Sequence, residues 1–252
     1  MQFHTFGCPS NKAIILIHGV LTPWQMWEYQ IEKLKKDYYV IVPALDGHTE
    51  EEASKFESVK QEANLIENYI MDNLNGKVYA VSGISMGGVI SGVMWKNGRI
   101  KMEKLIMDGS PFGKLPKFMI DIMASNYLKI VHSSQKRNPK TLEGFKKNLL
   151  PEKYLPNYLA FIDKMSDETV TNMVYSVFDD NYPNNVVNDA DVLFMHGTKV
   201  NEVVALKAAK RLKKEYPNIK IICRKGHVHC ENALFHPDKW YEEIAEFLNI
   251  KI

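Results

Sequence analysis

The chain has 252 residues, enough for one large domain or one domain carrying an insertion. Its 32 lysines and arginines nearly cancel 30 aspartates and glutamates, with no basic arm or acidic tail, which argues against nucleic acid as a partner. Three cysteines (Cys8, Cys223 and Cys230) cannot build a disulfide framework, and the first six residues lack the charged start and apolar run of a secretory signal. No apolar stretch is long enough to span a bilayer, so the expectation is a cytoplasmic protein without stable membrane insertion. The oligomeric state is left open.

The first clear element is the apolar run Ala13 to Ile17, patterned as a strand buried on both faces, and it ends in His18-Gly19-Val20. A helix from about Gln25 to Lys36 leads to a second such strand, Tyr39 to Pro43, followed by the loop Leu45-Asp46-Gly47-His48-Thr49. Leu65, Ile66, Tyr69, Ile70 and Leu74 recur at helical spacing and predict a helix near Ser58 to Leu74. The next segment, Val78 to Val81, reads as a strand. It runs into Gly83-Ile84-Ser85-Met86-Gly87 and then an apolar helix ending about Asn97. A strand Lys104 to Met107 closes this half at Asp108-Gly109-Ser110-Pro111. Strict alternation of strand and helix argues for a parallel sheet with helices on both faces.

From Phe112 the rhythm breaks. Amphipathic helices are predicted over Phe118 to Val131, Leu142 to Leu149, Tyr158 to Met165 and Glu168 to Phe178, with prolines 139, 151, 156 and 183 between or near them. Alternation then resumes: strand Val192 to Met195, helix from about Glu202 to Glu215, strand Ile219 to Ile222, helix Asp238 to Leu248. The division expected is a core of residues 1–111 and 189–252 interrupted by an all-helical insertion of residues 112–188. Such an insertion falls where ligands bind in open α/β sheets, and its methionines and aromatics, Met119 and Met123 among them, are candidates to line an adaptable apolar pocket.

The segment G-I-S-M-G carries the chemistry. Between a strand and a helix, Gly83 and Gly87 leave room for a sharp turn that exposes Ser85 above the positive end of the following helix. A serine hydroxyl is a weak nucleophile unless a base takes its proton, so a histidine must lie within reach.

The order of parts resembles the α/β-hydrolase family: His-Gly after the first buried strand, the G-x-S-x-G elbow, a helical cap and a late histidine. Within that family it is similar to the small serine esterases and lipases with a helical cap. The resemblance runs from Ile14 to the last helix. It implies a mostly parallel central sheet flanked by helices, with Ser85 as nucleophile, a histidine as base and an acid that orients it. Two histidines compete. His227 follows Gly226 directly, whereas His229 lies eight residues before the proline of His236-Pro237, the family's usual register; His229 is preferred and His227 is the alternative.

For the acid, the family position three residues beyond Gly197 holds Val200. A two-residue insertion would put Glu202 there instead, and Asp108 is the rival. The implied oxyanion donors are the backbone N–H groups of Met86 and Val20. Leu21, Trp24 and Trp27 are expected on the acyl side of the pocket. The implied activity is hydrolysis of a small, largely apolar, ester-like substrate through an acyl-enzyme, without metal or organic cofactor; His227, His229, Cys230 and His236 match no zinc spacing. A thioesterase or acyltransferase would use the same residues. The valine at position 200 also leaves a non-catalytic ligand-binding member of the fold in play.

Overall fold

A computed structural model describes residues 1–250. Seven strands form one sheet: β1 (Gln2–Phe6), β2 (Ala13–Ile17), β3 (Tyr39–Ala44), β4 (Lys77–Ile84), β5 (Lys101–Asp108), β6 (Asp191–Gly197) and β7 (Lys220–Arg224), in the spatial order β1-β3-β2-β4-β5-β6-β7. All pairings are parallel except that of β1, which runs antiparallel to β3 with Gln2 opposite Ala44 and Phe6 opposite Val40. The sequence did not predict β1. Gln-Phe-His-Thr-Phe has no apolar run, because an edge strand is only half covered and keeps polar groups toward water. Every residue of β2 is buried, as its unbroken apolar run requires.

The helices that follow the strands are α1 (Glu28–Leu34), α2 (Val59–Leu74), α3 (Met86–Asn97), α8 (Val203–Glu215), the short α9 (Glu231–Phe235) and α10 (Pro237–Phe247). Here α2 packs on α3, and α1 on α10, where the Trp27 and Trp240 rings lie 5.0 Å apart. Between β5 and β6 come four helices with no strand: α4 (Lys117–Gln135), α5 (Pro139–Asn148), α6 (Leu155–Ile162) and α7 (Asp167–Val177). Prolines begin them rather than break them. Pro139 is the first residue of α5, whose N-terminal amides are capped by Asn138, and Pro156 lies in the first turn of α6. The insertion rests on the loop after β3: Asn172 donates to the Phe56 carbonyl at 3.0 Å, and the Phe56 amide donates to the Thr169 hydroxyl at 3.4 Å.

The C-terminal ends of the last four strands lie at one edge of the sheet, with Ile84 beside Asp108 and Gly197 beside Arg224, β6 and β7 running two residues beyond the Met195 that pairs with Asp108. Loops leaving them converge at one end of the sheet. Beneath those loops lies a buried ion cluster. Arg224 grips both carboxylate oxygens of Asp108 through one nitrogen at 2.9 and 3.0 Å and reaches Glu243 of α10, while the Trp240 ring N–H donates to Asp108 at 2.9 Å. Burial raises the Asp108 pKa and the Arg224 charge opposes that rise.

Removing one member of a buried pair leaves a charge stranded. Arg224→Met should therefore cost about 3–5 kcal/mol, read as a drop in thermal midpoint of roughly 2–4 °C per kcal/mol. Adding Asp108→Asn to that variant should recover part of the loss. A second outcome concerns Glu62, buried on the inner face of α2 with its carboxylate accepting from the Asp46 amide at 3.1 Å. Burial, reinforced by the Asp46 charge, pushes its pKa to about 8. The native state then binds more protons than the unfolded chain between about pH 4.5 and 8, so this contribution declines across that window and is gone above it. Glu62→Gln should flatten the decline, raising the midpoint at pH 8.5 and not at pH 4.

Candidate active site

Ser85 sits between β4 and α3 with φ 50° and ψ −117°, a conformation seldom adopted by a residue with a side chain. The turn closes because its flanks are glycine. A Cβ on Gly83 would lie 2.2 Å from the Gly87 carbonyl oxygen, and one on Gly87 would lie 2.3 Å from that of Ile17. The Ser85 amide donates to the Asp108 carbonyl at 2.8 Å, which ties the elbow to the end of β5.

Ser85 Oγ lies 2.8 Å from Nε2 of His229, and His229 Nδ1 meets Glu202 Oε1 in a close hydrogen bond. The second Glu202 oxygen accepts the Gly197 amide at 2.7 Å. The partners dictate the tautomer: a carboxylate only accepts, so Nδ1 carries the proton and Nε2 presents its lone pair to the serine hydroxyl. Glu202 is fully buried, whereas the His229 side chain keeps 30% of its surface open. A buried carboxylate needs compensation, and the imidazole and the amide provide it.

The loop geometry explains how Glu202 comes to this place. It ends a single 3₁₀ turn, Val200–Glu202, and the next residue begins α8. Val200, at the family's usual position for the acid, points to solvent with 88% of its surface exposed. One tight turn thus carries the Glu202 carboxylate inward while Val200 stays outside.

The structure brings Ser85, His229 and Glu202 together and leaves the alternatives aside. Asp108 spends both oxygens on Arg224 and Trp240 and does not reach the His229 ring. The buried Nδ1 of His227 is 3.8 Å from Glu231 and has no hydrogen-bond partner among the described residues. What His227 contributes is its backbone carbonyl, which accepts the Thr198 and Lys199 amides at 3.2 Å and binds the Glu202 loop to the histidine loop. Gly197 gives room for that crossing, since a Cβ there would stand 2.4 Å from the His227 carbonyl oxygen, and Gly109, at φ 61°, leaves room for the histidine loop itself: a Cβ there would stand 2.6 Å from Cys230 Sγ and 3.0 Å from His229 Cε1. Among the described residues no group of three or more histidine, cysteine or acidic side chains is placed to hold a metal.

Of the expected oxyanion donors, Met86 is the first residue of α3, where backbone amides have no acceptor within the helix. Val20 follows Gly19, whose added Cβ would come within 3.3 Å of Ser85 Cβ. The expected pocket residues divide. Leu21 is buried in the core, and Met123 is partly buried against it. Met119 is 41% exposed, four residues from Met123 but turned outward along α4.

Trp24 is displaced from the expected role. Its ring stacks on His4 of β1 at 4.0 Å, in a cleft of about 370 Å³ shared with Phe6, Lys153 and Tyr154 that contains neither Ser85 nor His229. The edge strand that the sequence hid is what captures it. Trp27 has no exposed surface and packs on Trp240 instead of facing a pocket. Two features near the elbow were given no role by the sequence reading: Arg224, and the pairing of the buried side chains of His18 and His48. A lone arginine closing a strand, and a histidine in each of the loops after the first two buried strands, were the available signals.

The sequence model described as the alpha/beta hydrolase fold matches residues 12–210. No curated protein matches the chain. Among solved structures, an alpha/beta hydrolase family protein from Desulfitobacterium hafniense is 24% identical, with a TM-score of 0.77 over 98% of this chain and 100% of that one. A structure from Nitrososphaera gargenis, reported with carboxylesterases, is 19% identical with a TM-score of 0.76, covering 98% of this chain and 93% of its own. An esterase from Exiguobacterium antarcticum is 20% identical with a TM-score of 0.74, covering 98% and 94%. At such identities the structural likeness carries the fold alone, while the sequence model spans most of the chain. The protein belongs to the alpha/beta hydrolase fold family.

Proposed function

We propose that this chain is a serine hydrolase of the small esterase and lipase type, cleaving carboxylic esters of small, largely apolar substrates through an acyl-enzyme. The observation that carries this reading is the 2.8 Å approach of Ser85 Oγ to His229 Nε2, with Glu202 bonded to the far side of the ring. In the first step Ser85 Oγ attacks the ester carbonyl carbon while Nε2 takes the hydroxyl proton. The Glu202 carboxylate stabilises the imidazolium through the Nδ1 proton. Negative charge on the former carbonyl oxygen is met by the Met86 and Val20 amides, which are oriented before the charge develops. Nε2–H then protonates the departing alkoxide, releasing the alcohol. Water repeats the sequence on the acyl-serine, giving the acid and restoring the Ser85 hydroxyl.

In this reading the four helices between β5 and β6 act as a cap over the serine, and residues 112–188 form the insertion that selects the acyl group. The case for a non-catalytic receptor lay in Val200; the contact between Glu202 and His229 supports catalysis instead.

A fluorophosphonate probe should label the wild-type chain at Ser85, and Ser85→Ala should lose both labelling and hydrolysis of p-nitrophenyl esters while keeping its thermal midpoint. Turnover persisting in that variant would refute the assignment. Glu202→Gln keeps the shape but not the charge, so kcat/KM should fall by roughly 10³–10⁴-fold; Asp108→Asn, away from the ring, should fall far less once its loss of stability is allowed for.

A further inference from the structure

Two loops beside Ser85 hold each other through a pair of fully buried histidines, His18 after β2 and His48 after β3, with rings 4.8 Å apart. The Leu45 amide donates to His18 Nε2 at 3.2 Å, and the Leu21 amide donates to His48 Nε2 at 3.1 Å. A ring nitrogen that accepts a backbone N–H carries no proton, so each proton is on Nδ1. There it is donated to a carbonyl: His18 to Gly19 at 2.9 Å, His48 to Asp46 at 3.2 Å. Burial lowers both pKa values, that of His18 to about 4, so both rings stay neutral and keep these roles.

The Gly19 carbonyl has a second donor, the Thr22 hydroxyl at 2.9 Å. The chain contains no cis peptide bond among its described residues, and in a trans peptide the carbonyl and the following N–H point in opposite directions. With the Gly19 carbonyl drawn toward His18 and Thr22, the Val20 N–H is turned the other way, and Gly19 itself lies against Ser85. Leu21 completes the turn at φ 55°, a left-handed conformation that leucine adopts only when its surroundings hold it there. The bond from its amide to His48 is one such hold.

We infer that Thr22 and His48 are positioning residues: Thr22 fixes the Gly19 carbonyl and His48 fixes the Leu21 amide, so that the peptide between Gly19 and Val20 keeps its N–H facing the oxygen of a tetrahedral adduct on Ser85. Neither side chain touches substrate. This rests on the reading of Ser85 as nucleophile. It extends that reading by naming what holds one of its two oxyanion donors in place.

Thr22→Val keeps the branched shape and deletes the hydroxyl donor; Thr22→Ser restores it. With p-nitrophenyl butyrate, Thr22→Val should lower kcat about 10-fold, less than the 10²–10³-fold lost when a donor is removed outright. KM should stay within about twofold, because the donor's bond strengthens only as charge develops on the oxygen. Binding of a phenylboronic acid, which mimics the adduct, should weaken by the same factor as kcat, and Thr22→Ser should return both to near wild type. If Thr22→Val does not fold, His48→Gln against His48→Leu takes its place: the glutamine oxygen can accept the Leu21 amide and should preserve kcat, which the leucine should not. An unchanged kcat in Thr22→Val, a change in KM alone, or equal activity of the two His48 variants would overturn the inference. A wild-type chain that neither hydrolyses esters nor takes the fluorophosphonate would overturn the parent reading instead.

Discussion

Everything at this site depends on one backbone constraint, the turn at residue 85. A side-chain-bearing residue is held at φ 50° only because the chain crosses itself within 2.2–2.3 Å of where side chains at 83 and 87 would be, and glycine has none. Strain of this kind, about 1–3 kcal/mol, persists where neighbouring structure over-determines it. Here the determinants are β2 on one side, the Asp108 carbonyl on the other and α3 beyond. The result is a hydroxyl that stands clear of the sheet within reach of a ring contributed by a loop 144 residues later.

Two carboxylates lie near this turn, and their surroundings separate their roles. Asp108 is paired with a guanidinium and an indole N–H; its charge is neutralised where it sits, and it locks β5, β7 and α10 together. Among the described residues no lysine or arginine pairs with Glu202. It is held by a backbone amide and an imidazole, so a positive charge forming on that imidazole finds an unpaired negative charge waiting. That difference underlies the proposal that Glu202, and not Asp108, supports the base.

The loops around the turn are joined to one another. Thr198 and Lys199 bond to His227, His18 and His48 bond across to each other's loops, and the helical insertion rests on the loop that carries His48 through Phe56 and Thr169. The His48 ring packs 5.0 Å from Phe161 of α6. The helical insertion is thus connected to the peptide beside Ser85 through packed, bonded groups.

Much of this was legible in the chain itself. Apolar runs buried on both faces announced the parallel strands, glycines at 83 and 87 announced the elbow, and the loss of alternation after Phe112 announced the helical insertion, because period and backbone freedom are local properties. The serine, the preferred histidine and the preferred acid could be nominated from the resemblance that the order and spacing of the motifs bear to the family. Which carboxylate meets the ring could not, since that depends on Arg224 and Trp240, distant in sequence, having already claimed Asp108. Nor could β1, whose mixed polar and aromatic residues become a strand only when β3 offers an edge, or the displacement of Trp24 that follows from it. Composition and periodicity determined the layers and the turn; competition among charged and aromatic groups for partners, a property of the assembled interior, decided who stands beside Ser85.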